Sequence, residues 1–157
     1  MTALASRIES LPLSNGKHAV VYRWGSEGPT VLLAHGWESR ASHFGRLIKT
    51  LVEKGFQVIG FDAPAHGNAA GRQSSIVEFI EIIEQLAQQE GGFDALVAHS
   101  FGCLSVINAV KAGLRTRALV IVGAPTHFSG LVTKYAAILN LPARQQQRLR
   151  RYIEGYF

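Results

Sequence analysis

The sequence predicts an α/β protein: a three-layer sandwich with a mostly parallel sheet covered by helices on both faces. Three observations carry that prediction. Short apolar runs at 30–35, 56–61, 93–98 and 118–122 alternate with stretches whose apolar residues recur at helical spacing. Glycine-containing breaks (Gly28-Pro29, Gly55, Gly91-Gly92) fall where the period changes. The strand runs are mostly apolar rather than alternating, as strands buried under helices on two sides must be.

The elements follow in order. The segment 18–24 mixes β-branched and aromatic residues and is entered through the turn Ser14-Asn15-Gly16, so it reads as a strand. After the buried strand 30–35, residues 42–54 place Phe44, Leu47, Ile48, Leu51 and Val52 on one helical face, closed by Gly55. Strand 56–61 leads into a loop rich in Ala, Gly and Pro from Asp62 to Gly71. Ser75 with Glu78 forms the pattern of a capping box. It opens a helix whose expected buried face is Ile76, Phe79, Ile80, Ile83 and Leu86. After strand 93–98, residues 101–114 are apolar on most sides and read as a deeply packed helix, followed by strand 118–122. Beyond Pro125 the pattern is helical only, from about 128 to 156, with a break at Pro142. The expected division is a partial core over 1–125 and an incomplete helical lid or cap over 126–157. Right-handed crossovers between the parallel strands are expected.

Composition narrows the function classes. The chain has 157 residues, 47% of them apolar, which suits one domain with a real core. The formal charge of +5 is spread along the chain. Its one cluster is Arg144, Arg148, Arg150 and Arg151, which lacks interleaved aromatics and reads as a solvated helix face, so no nucleic-acid partner is expected. Cys103 is the lone cysteine, so no internal disulfide forms and a small core role is expected for it. Met1 to Leu13 lacks the pattern of a signal peptide, and no apolar run nears the ~20 residues of a membrane span. The expectation is a soluble, cytoplasmic protein without membrane contact.

The informative segment is Leu96-Val97-Ala98-His99-Ser100-Phe101-Gly102. An apolar strand runs straight into a serine, and the serine straight into a helix. A reversal that sharp strains the serine backbone and needs small neighbours two residues away, here Ala98 and Gly102. The helix starting at Phe101 brings its positive end and free N–H groups beside the hydroxyl. The segment resembles the nucleophile elbow of the α/β-hydrolase superfamily, G-x-S-x-G, with Ala98 in place of the first glycine. Ala34-His35-Gly36-Trp37-Glu38, after the strand 30–35, resembles the His-Gly turn that supplies an oxyanion donor in that superfamily. Phe61-Asp62-Ala63-Pro64-Ala65-His66-Gly67 resembles its Asp-x-x-x-His-Gly loop. The three occur in family order at strand ends, and the likeness runs over about residues 18–157.

The resemblance implies Ser100 as the nucleophile and the backbone N–H groups of Trp37 and Phe101 as oxyanion donors. It implies His35, Gly36, His99 and Gly102 as supports of the elbow and its neighbouring turn. His35 and His66, in turns beside glycine, are expected to fix loops, and the His99 side chain to point away from Ser100. His18 and His43 are expected at the surface or in support, and His127 as a pocket residue outside any triad. No His, Cys, Asp or Glu set has metal-ligand spacing and no Gly-rich phosphate loop is present, so neither metal nor cofactor is expected.

A serine needs a base, and the base an orienting carboxylate. The family order is Ser, acid, His, yet His127 and Glu154 are the only such residues after Ser100. The triad is therefore not expected to assemble from this chain, and the family's C-terminal strands and helices are expected to be missing. Strand 118–122 would then be a bare apolar edge that recruits a partner strand, a second copy included. Two readings follow. One is a truncated serine hydrolase for esters or thioesters of small acyl substrates, working through an acyl-enzyme, with 128–156 lining an acyl pocket. The other is a non-catalytic binding or self-associating protein on the same fold.

Overall fold

The computed structural model describes residues 5–124 and 142–154. They belong to two compact units divided after Ala124, each described by itself.

In the first unit the strands are β1 (Arg7–Pro12), β2 (His18–Trp24), β3 (Thr30–Ala34), β4 (Gln57–Asp62), β5 (Phe93–His99) and β6 (Thr116–Val122). The helices are α1 (Gly45–Glu53), preceded by a 3-10 turn at Ala41–Phe44, then α2 (Ile76–Glu90) and α3 (Phe101–Lys111). The six strands form one sheet in the order β1-β2-β4-β3-β5-β6. β1 and β2, and β2 and β4, pair antiparallel. The pairs β3–β4, β3–β5 and β5–β6 are parallel. The mixed, mostly parallel sheet expected from the alternation is therefore present, with an antiparallel hairpin at one edge.

The apolar pattern of β3, β4 and β5 is explained by burial on both faces. One face packs Leu32, Ile59, Phe61, Leu96 and Ala98 against Phe79, Ile82, Ile83 and Leu86 of α2 and Cys103 and Val106 of α3. The other packs Val31, Leu33 and Val58 against Ile48 of α1, with Tyr22 and Trp24. Each such fully buried aliphatic or aromatic side chain contributes about 1.5–3 kcal/mol.

Three details differ from the sequence reading. The sequence pattern gives no strand over 7–12, because β1 is mostly exposed and only Leu11 is buried. The buried stripe of α2 is Phe79, Ile82, Ile83 and Leu86, whereas Ile76 and Ile80 are half-buried. That stripe keeps the 3-4 spacing that packs between sheet and neighbouring helix. The first part of the helix expected over 42–54 is a 3-10 turn.

The capping box at the start of α2 is present. Ser75 N–H donates to Glu78 Oε2 at 2.8 Å, and Glu78 N–H donates to Ser75 Oγ at 3.3 Å. The same carboxylate ties down the β1–β2 turn. It accepts from Asn15 Nδ2 at 2.6 Å and pairs with Lys17 Nζ at 2.7 Å. Burial alone would raise the Glu78 carboxyl, but these partners outweigh it and hold it below its ordinary value.

β6 pairs only with β5 and closes the sheet among the described residues. Its Leu119, Val120, Ile121 and Val122 are 37–51% exposed. In the second unit the helix α4 (Ala143–Glu154) begins directly after Pro142, whose carbonyl accepts from Gln145 N–H at 2.8 Å. Residues 125–141, which include His127 and the start of the expected lid, lie outside the described residues. Among the described residues no helix is long and apolar enough to cross a membrane.

Candidate active site

The C-terminal ends of the parallel strands β3, β4 and β5 open on one rim, as parallel pairing requires. The three motif-bearing loops leave from that rim. β5 ends at His99 and α3 begins at Phe101, leaving Ser100 alone to make the reversal. Its backbone sits at φ 51°, ψ −118°, a region that glycine adopts easily and other residues do not. Two bonds hold it there. Ser100 N–H donates to Val122 O at 2.9 Å, and Ser100 O accepts from Cys103 N–H at 3.0 Å. The Ser100 side chain is half-buried and has no hydrogen-bond partner among the described residues.

The turn after β3 presses against this corner. A Cβ on Gly102 would stand 2.5 Å from Ala34 O and 2.6 Å from His35 O, so only glycine lets α3 start so close to β3. A Cβ on Gly36 would stand 3.1 Å from both Ser100 Cβ and His99 Nδ1. Gly36 therefore lies directly beside the serine. The backbone N–H groups of Trp37 and Phe101 have no hydrogen-bond partner among the described residues. The two side chains meet edge to face, ring centroids 5.3 Å apart. Trp37 is exposed at the rim, and Phe101 is half-buried.

His35 is fully buried between the two other loops. Ala63 N–H donates to its Nε2 at 3.2 Å, and its Nδ1 lies 2.7 Å from Gly36 O. Burial lowers its pKa to about 4, against the opposing pull of the Gly36 carbonyl. The ring is thus neutral at pH 7. It packs on His66 (5.1 Å), Phe79 (4.9 Å) and Phe61 (5.4 Å), and His66 in turn meets Trp37 at 5.0 Å. His66 is buried with its Nδ1 2.9 Å from Pro64 O.

Asp62 is a further support, one whose role the motif alone does not reveal. It is buried, and its carboxylate accepts from Ala41 N–H (2.8 Å), Tyr22 Oη–H (2.9 Å) and Asn68 N–H (2.8 Å). It therefore joins three separate segments beneath the rim. Burial first, then the bond and charge of Asp62, push the Tyr22 phenol up to about 12. The DxxxHG spacing was the available signal, but the acceptor's partners lie 21 and 40 residues away and could not be read from it.

The remaining candidates fall as follows. His99 is exposed, with Nδ1 beside Gly36. His18 pairs with Ser10 Oγ at 3.1 Å and His43 with Ser39 Oγ at 2.9 Å, both exposed. Cys103 is buried and its Sγ–H points to Ala98 O at 3.3 Å; burial pushes its thiol up, which suits a packing role. Among the described residues no set of His, Cys, Asp or Glu could hold a metal ion.

The Alpha/beta hydrolase family model matches residues 31–157. The chain belongs to the α/β-hydrolase family. It is 32% identical over 91 residues to the human "Serine hydrolase-like protein", covering 54% of this chain and 44% of that one. Among solved structures it is similar to an esterase from Exiguobacterium antarcticum, with a TM-score of 0.66 and 21% identity over 74% of this chain and 45% of that chain. It is also similar to a thioesterase domain from the curacin biosynthetic pathway, with a TM-score of 0.68 and 21% identity over 82% and 50% of the two chains. The α/β-hydrolase chain thus spans less than half the length of the curated relatives it matches.

Proposed function

We propose that Ser100 is the nucleophile of a serine hydrolase that cleaves esters or thioesters of small acyl substrates. The reading is carried by one observation: a non-glycine residue held at φ 51° on a strand-to-helix corner, its hydroxyl and the amides of Trp37 and Phe101 without hydrogen-bond partners among the described residues. Ser100 Oγ attacks the acyl carbon while its proton passes to a base, and the tetrahedral oxygen takes the charge. The N–H groups of Trp37 and Phe101 stabilise that oxygen; one such donor is typically worth about 2.7–4 kcal/mol. Collapse expels the alcohol or thiol with the proton and leaves an acyl-serine, which water hydrolyses with the same groups. Among the described residues no histidine or carboxylate bonds to Ser100, so the base and its acid belong elsewhere in the protein. Residues 126–157 are assigned in this reading to the lid or cap of the hydrolase. The protein works in the cytoplasm without metal, cofactor, nucleic acid or membrane.

A fluorophosphonate probe on the intact protein tests this. Labelling is expected at Ser100 and is lost in Ser100→Ala. A folded protein that the probe does not label at Ser100 overturns the assignment.

A second reading is favoured by the exposure of β6. A non-catalytic chain on the same fold would use that edge to pair with a second copy. Hydrolysis of a p-nitrophenyl ester that disappears in Ser100→Ala counts against it.

A further inference from the structure

We infer that His35 is a positioning residue for the oxyanion site: its Nδ1–H fixes the plane of the Gly36–Trp37 peptide and so aims the Trp37 N–H at the acyl oxygen on Ser100. The inference rests on the hydrolase reading above and adds to it a residue that touches neither substrate nor nucleophile.

The tautomer follows from the partners. A backbone N–H can only donate, so the bond from Ala63 N–H makes His35 Nε2 an acceptor. The single ring proton is then on Nδ1, and the Gly36 carbonyl, which can only accept, receives it at 2.7 Å. The ring is sealed from water and wedged among Phe61, Phe79 and His66, so neither tautomer nor orientation is free to change.

Geometry converts that bond into an aim. The Gly36 carbonyl and the Trp37 N–H belong to one planar trans peptide, so they point in opposite directions. Holding the carbonyl against the His35 ring turns the N–H to the far side. Gly36 itself lies beside Ser100 Cβ, at a separation where a methyl group would already be crowded. A rotation of that peptide would therefore swing the amide relative to the serine. Ser39 N–H reaches the same carbonyl oxygen at 3.3 Å, a longer bond that survives loss of the ring. The aim is thus expected to loosen without His35 rather than vanish. Removing an oxyanion donor outright costs about 10²–10³-fold in kcat, so misaiming one is expected to cost about 10-fold or more.

Two substitutions separate aiming from packing. In His35→Asn the side-chain amide can stand where Nδ1 stands and donate to Gly36 O, but nothing accepts from Ala63 N–H. In His35→Gln the side-chain oxygen can reach the Nε2 position and accept from Ala63 N–H, but the donor to Gly36 O is lost. On the intact protein, Asn is expected to keep kcat for a p-nitrophenyl ester within about 3-fold of wild type. Gln is expected to lose about 10-fold or more in kcat with KM little changed, because the lost interaction is made to the transition state. Melting temperatures of both variants are read alongside. Wild-type kcat in Gln, or equal losses in both that follow their melting temperatures, overturns the positioning role while leaving Ser100 as the nucleophile. A wild-type protein with no label on Ser100 and no ester hydrolysis removes both readings together. Nitrogen-15 spectra of the wild-type ring at pH 7 provide a check independent of any variant: Nδ1 protonated and Nε2 bare is expected, and the reverse tautomer overturns the inference.

Discussion

Replacing Gly102 by alanine tests how tightly the elbow is jammed against its neighbour. The new Cβ would stand 2.5 Å from Ala34 O, 2.6 Å from His35 O and 2.9 Å from Ala34 C. Ordinary contact begins near 3.4 Å, so the first oxygen must retreat by about 0.9 Å (3.4 less 2.5). All three atoms are backbone, so no side chain can rotate aside. Overpacking costs about 1–3 kcal/mol, and backbone neighbours put this site at the upper end. Alanine returns up to about 1 kcal/mol through its better helix propensity. The net loss is about 2 kcal/mol, which in a domain of this size lowers the melting temperature by about 4–8 °C. Relief comes from moving the start of α3 away from β3, which also separates Phe101 N–H from Trp37 N–H. Fluorophosphonate labelling of Ser100 is therefore expected to slow by about 10-fold or more, on the scale of oxyanion-donor losses. The assays are a thermal melt and a labelling time course. Wild-type values in both would refute the claim that α3 is pressed on the end of β3.

Three further outcomes are expected. Stability should fall in acid in two overlapping windows. His35, with its folded pKa lowered from 6.5 to about 4, leaves the unfolded chain holding the extra proton between those values. Stability is then full above about pH 6.5 and lost as pH falls toward 4, by on the order of 3 kcal/mol (about 2.5 in pH at 1.36 kcal/mol each). The Glu78 contribution is present above its ordinary carboxyl range and lost as pH falls through its lowered folded value. Urea midpoints from pH 7.5 to 3 check this, and His35→Gln should flatten the upper window. Ser100→Gly should be more stable than Ser100→Ala by about 1 kcal/mol, since glycine relieves the strain at φ 51° and returns part of the gain as unfolded-chain entropy; equal urea midpoints would show no strain. The 157-residue chain should self-associate with rising concentration on gel filtration, and Val120→Lys in exposed β6 should shift it toward monomer.

Much of this fold was legible because its signals are local. The runs that form β3 to β6 are rich in apolar residues, and the Ser75–Glu78 pair marks the start of α2 within one turn. The elbow was legible for the same reason: strand, serine and helix are adjacent in the chain. What escaped depends on distant partners. β1 carries Arg7 and Glu9 on an open edge, and only its pairing with β2 makes it a strand. Ile82 rather than Ile80 is buried because α2 is clasped between the sheet and α3, which fixes its rotation. Asp62 could be placed in a motif, but its grip on Ala41 and Tyr22 appears only once β2 lies against β4. The His35 proton is likewise set by Ala63, 28 residues away.

The main-chain amide of Ser100 is moored to Val122, the last residue of β6, which has no outer partner strand among the described residues. That carbonyl faces β5 and not the outer border of β6, so a shift of Val122 along its strand would reach the Ser100 backbone through this one hydrogen bond. The end of β6 and the set of the Ser100 backbone are thereby expected to move together. Ligands of the edge should be screened for changes in Ser100 reactivity as well as for binding.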